Sequence, residues 1–283
     1  MNHPFQSSPA PASLDVRSRS FAVFAGATGV LLIHGFGGDP AEVLPLAAAL
    51  IHDGYSVYAP LLPGHGTLPD ALADVRWQQW AKAAAHGFAA LHQRCDNVVV
   101  VGFSMGGLLA LILAAHLPVT RLAVLAPALR LHGQLLVNLS SIARHVISWY
   151  YPLAGADFSD PELRALLRNR VPDANLDDPL VCEQLRRMVR VPLEAVHQLT
   201  LVQRSARRLL PRVTAPTLIV QGRNDQTVDP RSAEQILRHI GSLDRQLIWM
   251  EGYGHQLLVG DGGERTVRTI MAWIQNDNAG RGM

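Results

Sequence analysis

Val98-Val99-Val100-Val101-Gly102-Phe103-Ser104-Met105-Gly106-Gly107, running on into the Leu/Ala-rich stretch Leu108 to His116, decides how this chain folds. From Val98 to Ala115 no residue is charged, a length compatible with a membrane helix. Its two halves differ, however. The valine run is β-branched and suits a buried parallel strand, three glycines interrupt it, and the remainder is rich in helix formers. The reading is strand, tight turn, buried helix. Within the turn, Gly102 to Gly106 spells G-x-S-x-G. A sharp strand-to-helix turn lifts the serine side chain out of the sheet and sets it at a helix N-terminus, where backbone N–H groups point outward. Side chains at positions 102 and 106 would collide with neighbouring backbone. Ser104 is therefore the candidate nucleophile. A phosphate-binding turn is the alternative, but no G-x-G-x-x-G pattern accompanies it.

Working outward, strand-like and helix-like runs alternate. Val30 to His34, Tyr55 to Ala59, Val98 to Phe103, Arg121 to Ala126, Pro216 to Gln221 and Gln246 to Met250 read as strands. Pro40 to His52, Val75 to Arg94, Pro230 to Ile240 and Asp261 to Gln275 read as helices. Such alternation predicts an α/β fold with a mostly parallel central sheet and helices on both faces. The pattern breaks between residues 129 and 211, which hold no strand-like run. Leu185, Val189, Val196, Leu199, Val202, Ala206 and Leu209 follow helical spacing there. This segment reads as a helical cap over the strand ends, where open sheets bind ligands, the alternative being a packing helix pair. Residues 14–128 and 212–276 then form the core, and 1–13 and 277–283 flexible termini.

Of the 283 residues 48% are hydrophobic and 17% charged, too apolar for a disordered chain. A chain this long buries about three quarters of its surface and needs no disulfide or metal to hold a core. A net charge of +2 leaves no nucleic-acid footprint. Lys82 is the only lysine, and no Gly-rich turn is followed by Lys-Ser or Lys-Thr, so no P-loop is present. Cys95 and Cys182 lack metal-ligand spacing and read as small buried hydrophobes. The opening residues have neither a basic start nor an apolar run, so no secretory signal is read. The expectation is a cytoplasmic protein without stable membrane insertion and of unknown oligomeric state. His34, His65 and His255 could be imagined around zinc, but no H-E-x-x-H or comparable spacing exists. No metal and no cofactor are expected.

The chain resembles the α/β-hydrolase family, nearest to small bacterial carboxylesterases and monoacylglycerol lipases. The resemblance rests on Leu32-Ile33-His34-Gly35-Phe36-Gly37-Gly38, Gly64-His65-Gly66-Thr67, Gly102 to Gly107, Ala215 to Asp225 and Gly254-His255. In that family an acid and then a histidine follow the serine, each on a loop after a late strand. Asp225 and Asp229 both follow the strand ending near Gln221. Asp229 precedes Pro230 and so has a helix-capping job, whereas Asp225 matches the family's Gly-x-x-Asp. Among twelve histidines, His255 alone lies in a Gly-flanked loop after the last strand. Catalytic roles therefore fall to Ser104, Asp225 and His255.

The backbone N–H of Met105 follows the nucleophile and serves as an oxyanion donor. The resemblance supplies that of Phe36 as the second, with His34 bracing its loop and His65 a neighbouring turn. It also implies a small-molecule ester substrate, with short or medium acyl chains or monoacylglycerols, and Phe36 at the substrate. The apolar stretch Leu135 to Leu153, with Trp149 and Tyr150, could line an acyl pocket or equally form cap core. The cap arginines read as a solvated helix face. Thioester, lactone or carbon–carbon bond hydrolysis on the same scaffold, or a non-catalytic receptor, are the alternatives.

Overall fold

A computed structural model describes residues 19–66, 69–161, 163, 164, 167, 174–260 and 263–276. The valine run becomes β4 (Asn97–Phe103), central in a seven-stranded sheet of order β1-β3-β2-β4-β5-β8-β9. The other strands are β1 (Phe21–Val23), β2 (Thr28–Ile33), β3 (Ser56–Ala59), β5 (Arg121–Leu125), β8 (Thr217–Gly222) and β9 (Arg245–Met250). Every neighbouring pair is parallel except β1 with β3.

Alternation along each strand divides the core into two layers. Leu31, Ile33, Val98, Val100, Leu122, Val124 and Ile219 face one side. There they meet α2 (Trp77–His92), α3 (Met105–Ala114) and α7 (Arg231–His239). Val30, Leu32, Val99, Val101, Ala123, Leu125, Leu218 and Val220 face α1 (Leu44–His52) and α8 (Gly263–Gln275) on the other. Both faces are covered, which is why the central strands are apolar throughout rather than alternating with polar residues. The structure is thus α/β, with a mostly parallel sheet.

The segment after β5 contains α4 (Gln134–Ala143), β6 (Trp149–Tyr150), α5 (Pro179–Met188), β7 (Val191–Pro192) and α6 (Leu193–Leu209). β1 was not read from the sequence, and β6 and β7 form a small antiparallel ribbon where no strand was expected, because two or three residues per strand leave no periodicity to read. In α6, Ala195, Leu199, Val202, Ala206 and Leu209 sit in the main core cluster beside α3. Leu153, Phe158, Leu176 and Cys182 form a separate small core. Much of the stretch Leu135 to Leu153 is turned to solvent instead; Leu135 is 75% exposed, Ile142 71% and Val146 87%.

Both cysteines are buried and unbridged. No described helix is long and apolar enough to cross a membrane. The expected flexible termini, Thr67 and Asp261 lie outside the described residues.

Candidate active site

Ser104 stands between β4 and α3 with φ 55° and ψ −117°, a backbone state that a side chain rarely adopts and that stores about 1–3 kcal/mol. The turn is tight enough that a β-carbon on Gly102 would lie 2.2 Å from Gly106 O, and one on Gly106 2.1 Å from Ile33 O. Those two contacts are what the G-x-S-x-G spacing permits. Ser104 N–H donates to Leu125 O at 2.8 Å, and its carbonyl accepts from Gly107 N–H at 3.1 Å and Ala128 N–H at 3.2 Å. The strained residue is thereby tied to the neighbouring strand and to its own helix.

Asp225 and His255 follow β8 and β9, one and two strands beyond β5. The structure brings them to Ser104: His255 Nε2 is 3.1 Å from Ser104 Oγ, and His255 Nδ1 is 2.9 Å from Asp225 Oδ2. A carboxylate only accepts, so Nδ1 carries the proton and Nε2 is left to accept from the serine hydroxyl. All three residues are buried, and the Asp225 side chain is fully so. Its Oδ1 accepts from the N–H groups of Thr227 (2.8 Å) and Val228 (2.7 Å), and its Oδ2 also accepts from Gln221 Nε2 at 3.0 Å. Burial pushes the Asp225 carboxyl up, but the bond and charge of His255 and the two backbone amides outweigh it and hold the group below the usual carboxylate range. Asp229, the competing acid, instead accepts from Arg231 N–H at 3.0 Å and pairs with Arg130 and Arg231.

The loop after β2 passes beside the serine: a β-carbon on Gly35 would lie 3.3 Å from Ser104 Cβ. Its conformation follows from a short chain of bonds. Leu62 N–H donates to His34 Nε2 at 3.1 Å, so the His34 proton sits on Nδ1 and donates to Gly35 O at 2.9 Å. Gly38 N–H reaches the same carbonyl at 3.3 Å. In a trans peptide the C=O and N–H point opposite ways, so holding Gly35 O on one side turns the Phe36 N–H to the other. Glu42 Oε2 accepts Gly35 N–H at 2.9 Å and holds the preceding peptide. Among the described residues no acceptor is recorded for the N–H of Phe36 or of Met105. The Phe36 ring meets His65 and Trp80 edge-on, both at 6.0 Å, and His65 also meets His34 at 5.1 Å. With both His34 nitrogens committed to backbone groups, a metal would have to displace them.

Trp149 and Tyr150 have other surroundings. Arg190 lies 3.9 Å over the Trp149 ring, and Tyr150 is 51% exposed. Among the described residues neither ring makes a ring-to-ring contact with Phe36 or His255. Sequence reasoning passed over Glu42 and Gln221 at the site, and His132, whose Nε2–H reaches Asp225 O at 3.0 Å. None of the three sits in a spacing that marks it.

Known proteins resemble the chain over most of its length. A thermostable monoacylglycerol lipase of Bacillus sp. (strain H-257) is 29% identical over 235 residues, covering 81% of this chain and 83% of the relative. A carboxylesterase of Bacillus subtilis (strain 168) is 24% identical over 241 residues, 85% and 89% of the two chains. Among solved structures, one from work on the metagenome-derived lipolytic enzymes LipS and LipT superposes with a TM-score of 0.69 and 27% identity over 92% of this chain and 98% of that one. A monoacylglycerol lipase of Paleococcus ferrophilus gives 0.70 at 19% identity, over 90% and 96%, a likeness of fold. Residues 27–261 match the Hydrolase_4 family, described as serine aminopeptidase, S33, and with its serine turn at the centre of a parallel sheet this chain belongs to that family of α/β-hydrolases.

Proposed function

We propose that the chain hydrolyses carboxylic esters through an acyl-enzyme on Ser104. One observation carries this reading: a serine Oγ on a strained turn lies 3.1 Å from an imidazole nitrogen whose other nitrogen is 2.9 Å from a buried carboxylate. As His255 Nε2 takes the hydroxyl proton, Ser104 Oγ bonds to the ester carbonyl carbon. Asp225 keeps the proton on Nδ1 and stabilises the imidazolium. The carbonyl oxygen becomes an oxyanion and meets the N–H groups of Met105 and Phe36, which await it without reorganisation. The imidazolium returns its proton to the leaving alkoxide as the carbon–oxygen bond breaks. Water, deprotonated by His255, then attacks the acyl group and frees Ser104.

For the substrate we infer a short- or medium-chain acyl ester or a monoacylglycerol, with Phe36 beside the acyl group. The names of the Bacillus relatives support this class. The test is turnover of aryl esters of increasing chain length and of a monoacylglycerol, with Ser104→Ala beside the unsubstituted enzyme. The substitution should lower kcat on the order of 10⁴-fold or more. A fluorophosphonate should label the enzyme and leave Ser104→Ala unlabelled. Near-normal hydrolysis by Ser104→Ala would overturn the nucleophile.

A further inference from the structure

Gln221 lies one residue from the end of β8 and is fully buried. Its Nε2 donates to Asp225 Oδ2 at 3.0 Å and to Gly222 O at 3.3 Å. Both partners accept only, so turning the amide over would press its oxygen against two others. In the orientation so imposed, Oε1 has no hydrogen-bond partner among the described residues. A buried amide oxygen left unpartnered lowers stability. Against that cost, the amide's hydrogen bonds go to a neighbouring carbonyl and to the carboxylate facing His255.

We propose that Gln221 is a positioning residue for the reaction, holding the Asp225 oxygen that orients His255. Thr227 and Val228 secure Oδ1. Without Gln221, Oδ2 would be held by His255 alone, and carboxylate and imidazole could turn together away from the serine. The amide also shares the charge on Oδ2. It touches no reacting atom and acts through Asp225 and then His255. Its effect on turnover rests on the ester-hydrolase reading above; its effect on the imidazole does not.

Gln221→Met and Gln221→Leu remove the donor at similar volume. Both keep the volume of the buried side chain and should fold, and a melting curve of each checks that the native state is populated at the assay temperature. With one hydrogen bond to a charged group lost, kcat should fall roughly tenfold with KM unchanged, and fluorophosphonate labelling should slow alike. The downfield proton resonance of His255 Nδ1–H should shift or broaden, and it should do so in a Ser104→Ala background as well. A full kcat together with an unmoved resonance in either folded variant would overturn the assignment. In the unsubstituted protein one Gln221 Nε2–H should exchange slowly with solvent, and rapid exchange of both would overturn it even if neither variant folded. Should Ser104→Ala retain activity, the ester-hydrolase reading fails while the resonance still decides the role of Gln221.

Discussion

Glu42 reaches back across seven residues to the peptide ahead of Gly35, and it does so through space that Gly38 leaves empty. A β-carbon at position 38 would lie 2.2 Å from Glu42 Oε2. Glu42→Ala removes the acceptor of Gly35 N–H, whereas Gly38→Val expels it with the carboxylate intact. Both should loosen the peptides that aim the Phe36 N–H and lower kcat by roughly 10- to 100-fold with little change in KM, a fraction of what an oxyanion donor supplies. Steady-state kinetics on one aryl ester checks the pair; a change confined to KM would contradict the account. At this scale the sequence was legible where chemistry constrains the backbone. Gly102 and Gly106 flank Ser104 because nothing larger fits, and Asp225 and His255 lie in loops that follow successive strands in recognisable order. Glu42 and Gln221 act through side-chain contacts and look like any helix-turn glutamate or strand glutamine.

Among the elements, strands and helices with long apolar runs were legible almost to their ends, because burial on both faces imposes composition. In the insertion after β5 the helices were legible but their packing was not. α6 and α4 carry comparable helical patterns, yet α6 packs its apolar side on α3 while α4 presents Leu135, Leu136 and Ile142 to solvent. Periodicity shows that a helix has an apolar face without showing what covers it. The difference is measurable. Leu199→Ala in α6, at 5% exposure, should destabilise the whole molecule by about 2–5 kcal/mol. Leu139→Ala in α4, at 48% exposure, should stay within about 0.5 kcal/mol. Urea unfolding of the two variants checks both values. Equal losses would mean that α4 is as well packed as α6.

Across the whole molecule, acid groups join parts distant in the chain. Glu194 of α6 binds Arg76 ahead of α2 and Arg144 after α4, and Asp229 joins Arg130 to Arg231. Burial raises Glu194, but Gln198, Arg144 and Arg76 outweigh it and hold it low; Asp229 is held low first by Arg231, and Asp225 by the contacts described above. Carboxyls so lowered bind protons more weakly in the folded than in the unfolded protein. Their contribution is complete above ordinary carboxylate values and is lost as pH falls through the lowered ones. Tm should therefore hold steady down to about pH 5 and fall below about pH 4, and Asp229→Asn should flatten that fall. Melting curves across this range check the sign; a Tm that rose on acidification would contradict it. Because Glu194 is partly exposed, solvent screening mutes its share.

The three side chains of the site do not hang from equally guarded supports. β4 and β8 are flanked on both sides, whereas β9 is the sheet's last strand and begins at the exposed residues Arg245 and Gln246. Heat or denaturant that peels this border strand would carry the imidazole away while hydroxyl and carboxylate keep their places. The molecule would then fall silent as a catalyst well before its interior melts, and an enzyme halted after acylation would be stranded with its cargo still attached.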